Sequence, residues 1–126
     1  MSVSIEIKGI PEVKNFLNKK KLKIDRKIPI GLKNASLHVQ NEVKLSIAGR
    51  KPEPRSVDTG RFLNSVDINS GKDYTIVFSD IPYAKFLEYG TSRFKARRHF
   101  NNTKDREKSN VKKLIDKEIK EAVKSI

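Results

Sequence analysis

The stretch that most constrains the fold is Asp80 to Thr91, Asp-Ile-Pro-Tyr-Ala-Lys-Phe-Leu-Glu-Tyr-Gly-Thr. It follows Tyr74–Ser79, a run of β-branched and aromatic residues that reads as a strand. Asp80 is placed to cap a helix, and Pro82 sits where a missing N–H costs nothing. Tyr83, Phe86 and Leu87 fall at i, i+3 and i+4, which predicts one apolar face. Gly90 predicts the stop, in the left-handed conformation that glycine adopts without penalty. A helix of about two turns is not stable alone in water. Its aromatic face is therefore expected against the sheet and a long helix, with each buried side chain contributing roughly 1.5–3 kcal/mol.

The rest of the chain supplies those partners. Val3, Ile5 and Ile7 alternate with Ser4, Glu6 and Lys8, the pattern of a half-buried strand closed by Gly9. Pro11 to Asn18 reads as a short helix with Val13, Phe16 and Leu17 on one face. The Lys19–Lys23 run is either a phosphate-contacting patch or a solvated helix end. A long helix is expected over Leu22 to Ile47, carrying the stripe Ile28, Leu32, Ala35, Val39 and Val43. Pro29 predicts a start at Ile28 or a bend there. His38 lies off the stripe and reads as a solvated surface residue.

Ala48 to Asp58 reads as a loop, and Thr59 with Gly60 as a turn. Strands at Ser65–Asn69 and Tyr74–Ser79 form an antiparallel hairpin. A last helix over Thr103 to Lys124 has Thr103 as its cap and Val111, Leu114, Ile115, Ile119, Ala122 and Val123 as its buried stripe. The order of elements predicts an α+β domain: a small, mainly antiparallel sheet with a long helix and a C-terminal helix packed on it, its open edges completed by neighbouring subunits. The length fits one domain over residues 1–126, with residues 1–21 a candidate peripheral piece.

The net charge of +13 favours an anionic partner, nucleic acid first, although a generally lysine-rich proteome gives the same number. The chain has no cysteine, which excludes disulfides and thiolate chemistry. No apolar run is long enough to span a bilayer and no leader pattern opens the chain, so a cytosol-like compartment without membrane contact is expected. The segment Ser92–Asn102 interleaves Arg93, Lys95, Arg97 and Arg98 with Phe94 and Phe100. That mixture suits nucleic acid, through phosphates and stacking, or a partner surface. For the two phenylalanines packing is the better reading; for the four cations DNA and partner salt bridges stay open. This segment and the loop before Thr59 are polar and poor in apolar anchors, so mobility in a free subunit is expected.

Two blocks of residues resemble a known family. Tyr83-Ala84, Glu88-Tyr89-Gly90-Thr91 and Lys95-Ala96-Arg97-Arg98-His99-Phe100 resemble the core of the neck proteins of tailed phages, the small head–tail joining or tail-completion proteins of long-tailed phages. Upstream, Val57 to Val66, with Thr59 and Gly60 at its centre, is similar to the family's Thr-Gly segment. The resemblance covers roughly residues 24 to 124. Arg98 stands where proline is usual, and Asn101-Asn102-Thr103 replaces an Arg-Pro-Ala-like run. The resemblance implies a virion protein assembled in the host cytoplasm. It implies a ring of identical subunits, a hexamer being one candidate size. The ring would sit between the head connector and the tail-terminator or tail-tube proteins, with DNA passing through the lumen without sequence readout.

Catalysis has little support in the residues. No Ser/His/Asp spacing, glycine-rich phosphate loop or metal-ligand cluster is present, and neither a cofactor nor an enzymatic activity is expected. Glu88 could serve as a buried general acid, but no second carboxylate stands near it in sequence. It reads better as an anchor for the Gly90–Thr91 turn or as a salt-bridge partner across a subunit boundary. Thr91 reads as a turn-fixing hydroxyl, and His99 has no evident companion. The rivals are a stand-alone basic DNA-binding protein and a nuclease, the latter lacking its carboxylate cluster.

Overall fold

A computed structural model describes residues 3–8, 21–57, 60–71 and 73–124. The alternation at the N-terminus makes strand β1 (Val3–Lys8), with Val3, Ile5 and Ile7 buried and the residues between them exposed. Helix α1 (Lys21–Ile47) buries its whole expected stripe, and Ile47 with it. There follow helix α2 (Arg61–Ser65), strands β2 (Asp67–Ser70) and β3 (Tyr74–Ser79), helix α3 (Ala84–Tyr89) and helix α4 (His99–Lys124).

The strands lie in the order β1-β3-β2, both pairings antiparallel. Val77 stands opposite Ile5 on one side and Ile68 on the other. The inward face of β3 is Thr75, Val77 and Ser79, and its two buried hydroxyls meet Ser70 Oγ at 2.9 Å and Ser65 Oγ at 2.7 Å. The outward face carries exposed Tyr74 and half-buried Ile76 and Phe78. Helix α1 lies over β3 and β2, α4 reaches β1, and the two long helices pack on one another. They approach closely at Gly31, where a Cβ would stand 3.2 Å from the Ile115 Cα. Phe100, Ile115, Ile119 and Ala122 of α4 close the core. The α+β class read from the order of elements is the architecture found.

Several local expectations change. Pro29 lies inside α1, which begins at Lys21. It is exposed, so the carbonyl that loses its N–H partner can turn to water. Strand β1 is not peripheral, because it pairs with β3 along its full length and fills the core. The short helix expected at 11–18 lies outside the described residues, as do Asp58, Thr59 and the Val123 side chain. β2 begins at Asp67, since Ser65 still belongs to α2 and its Oγ donates to the Phe62 carbonyl at 2.6 Å. Val111 and Leu114 are half-buried. No helix among the described residues is long and apolar enough to cross a membrane.

Candidate functional site

Helix α3 buries a different face from the one its aromatics predict. Ala84 and Glu88, one turn apart, are fully enclosed, and Leu87 is half-buried against the core. Tyr83 is 38% exposed and Phe86 49% exposed, which corrects the expectation that Phe86 is a core residue. The helix begins at Ala84 with Tyr83 at the cap position, where the cap makes no side-chain hydrogen bond, so Asp80 is not the cap. Pro82 is exposed in the turn before it, closed by the Ala84 N–H donating to the Ile81 carbonyl at 3.0 Å.

Glu88 explains the rotation. Its carboxylate accepts from the Phe100 N–H at 2.9 Å, the Asn101 N–H at 2.8 Å and Asn101 Nδ2 at 2.7 Å. These two backbone N–H groups lie in the first turn of α4, where no carbonyl partner exists within the helix. An anion there also sits at the favourable end of the helix dipole. Glu88 thus caps a helix that begins eleven residues downstream, not the Gly90–Thr91 turn, and α4 begins at His99 with no need of Thr103 as a cap. Thr103 is itself fully buried.

Gly90 ends α3 at φ 78°, ψ 174°, a region essentially reserved to glycine but not the left-handed helical one expected. A Cβ there would lie 2.7 Å from the Ala96 nitrogen. Thr91 fixes the following turn: its Oγ1 accepts from the Arg93 N–H at 3.1 Å, and its N–H donates to the Phe94 carbonyl at 3.0 Å. The loop then folds back onto the end of α3. The Arg97 N–H donates to the Leu87 carbonyl at 2.8 Å and the Arg98 N–H to the Glu88 carbonyl at 3.3 Å. Arg98 has φ 53°, which proline cannot adopt, and its N–H is in use.

Behind this loop lies a buried polar chain that crosses three segments. Burial works to raise the Glu53 carboxyl, but hydrogen bonds from Arg106, Ser46 and Asn102 outweigh it and hold the carboxyl below its ordinary value. An ionised Glu53 can only accept, so Ser46 Oγ donates to Glu53 Oε1 at 2.6 Å. With its single proton committed, Ser46 accepts from His99 Nδ1 at 2.7 Å. That tautomer leaves Nε2 bare, and it accepts from Ser56 Oγ at 2.7 Å. The other outlet for the Ser56 proton, the Pro54 carbonyl at 3.2 Å, would strand Nε2. The Ser56 oxygen in turn accepts from Arg97 Nη1 at 2.8 Å. Burial pushes the His99 imidazole down to about 4; Glu53 opposes the shift and Arg97 adds to it. His99 is fully enclosed, and its companions are Ser46 and Ser56, 53 and 43 residues away.

The same chain anchors the segment before Thr59. Glu53 is buried and paired with Arg106 at 2.9 Å, the Ser56 N–H donates to the Ile47 carbonyl at 2.7 Å, and Arg97 Nη1 donates to the Arg55 carbonyl at 3.0 Å. The loop is held mainly by polar contacts, with half-buried Val57 its apolar contact with the core.

The two blocks of resembling residues meet at Phe62, whose ring stands edge-on to Tyr83 at 6.2 Å and to His99 at 6.1 Å. Gly60 precedes α2 with φ 81°. Around Phe62 opens a cavity of about 460 Å³ with Arg55, Arg61 and Arg97 on its wall. A second, apolar cavity of about 540 Å³ shares Tyr83 and Leu87 with it and continues over Phe86, Arg93 and Phe94. Of the residues singled out in the Ser92–Asn102 segment, Arg93, Phe94, Lys95 and Arg98 are exposed, Arg97 is half-buried, and Phe100 is a core residue at 1% exposure. Tyr89, at 60%, is the most exposed aromatic here.

Away from this surface, His38 does not stand alone in solvent. Its Nε2 lies 2.7 Å from Glu107 Oε1, joining α1 to α4, and with Glu42 these groups bring three ligand atoms within 4.8 Å. They are the residues that could hold a metal among those described. Lys51 Nζ already neutralises Glu42 at 2.8 Å, without hydrogen-bond alignment.

Sequence reasoning missed Ser46, Glu53, Ser56 and His99 as a unit, and Arg55 and Arg61 as cavity residues. Separations of 43 and 53 residues leave no local signal, and only the Glu53–Ser46 pair lies close along the chain. No family model, curated protein or solved structure matches this chain.

Proposed function

We propose that the chain is a structural virion protein of a tailed phage. In this reading it joins head to tail as a ring of identical subunits around the DNA channel, and acts by assembly and not by catalysis. The observation that carries the reading is how the two resembling segments serve one another. Phe62 of the first packs on Tyr83 and His99 of the second, and Glu88 caps the helix that the second segment opens. The buried motif residues hold a scaffold. The exposed ones, Tyr89, Arg93, Phe94, Lys95 and Arg98, form a displayed surface that fits contact with a connector or tail protein. A charge of +13 suits a lumen through which DNA passes without sequence readout.

The test is complementation of a phage lacking this gene, with micrographs of the lysate. Arg93, Lys95 and Arg98 are replaced together by serine, and Arg97 is kept because it is part of the buried chain. Filled heads and free tails left separate are the expected result; joined particles that leak DNA would place the loop at the lumen alone. Infectious particles in the absence of the gene refute the reading. The charge also favours a second reading, a stand-alone DNA-binding protein. Sub-micromolar affinity for duplex DNA at physiological salt, with a log–log salt slope of about −0.9 per phosphate neutralised, would support it.

A further inference from the structure

The arginine cavity and the apolar cavity beside it have complementary chemistry and a common wall, Tyr83 and Leu87. Among the described residues no carboxylate lines the first, while Arg55, Arg61 and Arg97 do. Arg97 is held in place: both of its side-chain hydrogen bonds use Nη1, one to the Arg55 carbonyl and one to Ser56 Oγ. The proton order from Glu53 through Ser46 and His99 turns a Ser56 lone pair toward that guanidinium. Nε and Nη2 remain, the side-on fork that grips a carboxylate or phosphate with two parallel bonds. A guanidinium fixed before binding loses little side-chain freedom when a ligand arrives. The second cavity offers Phe86 and Phe94, both well exposed, as flat apolar contact.

We propose that these two cavities form one groove that takes an extended segment of a partner protein. A carboxylate side chain of the segment seats on Arg97 and Arg55, and large apolar side chains lie on Phe86 and Phe94. The volumes, about 460 and 540 Å³, are those of sites that enclose a few side chains. Charge complementarity selects the acid, and the apolar half selects peptide over duplex DNA. A duplex carries its charge on a convex backbone with its bases sealed inside, and would leave Phe86 and Phe94 uncovered. The inference deepens the joining role by naming the chemistry of the partner surface, and it can fail while that role stands.

The experiment is selection from a random displayed peptide library against the full chain, followed by anisotropy titration of the enriched peptides in labelled synthetic form. A duplex and a single-stranded oligonucleotide are run as competing probes. Enriched peptides should share an acid next to bulky apolar residues. Arg97→Gln should weaken them at least about tenfold, the loss expected for one charge-assisted pair. Arg97→Lys should weaken them too, because it keeps the charge and loses the fork. Phe86→Ser and Arg55→Gln, at exposed positions, test the same groove if Arg97 variants unfold. No acidic–apolar consensus, or affinity unchanged in all four variants, overturns the proposal. So does displacement of the peptides by either oligonucleotide with Arg97-dependent affinity of its own, or Arg97-dependent self-association without peptide enrichment. Loss of peptide binding with phage joining intact refutes the groove alone; peptide binding intact with infectious particles in the absence of the gene refutes the joining role alone.

Discussion

Replacing Glu88 tests how the short helix and the last helix hold each other. The Glu88 carboxylate is fully enclosed and accepts three hydrogen bonds, two of them from backbone groups in the first turn of α4. Glu88→Ala leaves the buried Phe100 N–H without a partner, at about 1–3 kcal/mol. Loss of a cap costs roughly 0.5–2 kcal/mol, and loss of the anion at the helix terminus up to about 2 kcal/mol. These overlap, so the expected total is roughly 3–5 kcal/mol, a large share of the 5–15 kcal/mol typical of a domain. Glu88→Gln keeps the volume and one acceptor but turns an amide NH₂ toward backbone donors, for roughly 2–3 kcal/mol. Asn101→Ala removes one bond only and should cost about 1 kcal/mol. Urea unfolding followed by circular dichroism gives the order Ala, Gln, Asn101→Ala. Amide exchange at Phe100 and Asn101 should accelerate in both Glu88 variants. Glu88→Gln within about 0.5 kcal/mol of the unaltered chain, with those amides still protected, would refute the capping argument.

The remaining expectations concern the buried chain, the turn and the face of α3. His99 titrates near 4 in the fold and near 6.5 unfolded, so the unfolded chain binds more protons between those values. Stability should be full above about pH 6.5 and fall as the pH drops toward 4, with lowered Glu53 adding to the loss at the acid end. Urea midpoints across that window should flatten in His99→Gln, and an unchanged slope would remove His99 from the account. Gly90→Ala forces a Cβ to within 2.7 Å of the Ala96 nitrogen at a positive φ, and should cost more than about 1–3 kcal/mol in thermal or urea unfolding. Phe100→Ala should cost roughly 3–5 kcal/mol and Phe86→Ala less than about 1 kcal/mol, since one is buried and the other half in water. Equal losses at the two would restore Phe86 to the core.

Periodicity alone determined much of this protein. The two-residue alternation of β1, the stripe of α1 and the strand at Tyr74–Ser79 are local patterns, and each became the element it predicts because the side chains that repeat are the ones water excludes. The same logic located the helix before Gly90 and the need for glycine there. It misjudges which side of α3 turns inward: of Tyr83, Phe86 and Leu87 only Leu87 packs on the core, while Glu88, polar by charge, is fully enclosed. Only the tertiary structure brings the first turn of α4 to α3, and unpaired backbone donors enclosed there make a carboxylate the group that must be buried. His99 follows the same rule. A histidine with no neighbour in sequence becomes a core residue once Ser46 and Ser56, from a helix and a loop distant in the chain, take both its nitrogens. Apolar burial is written in spacing along the chain, whereas the pairing of buried polar groups depends on which ends of which elements meet in space.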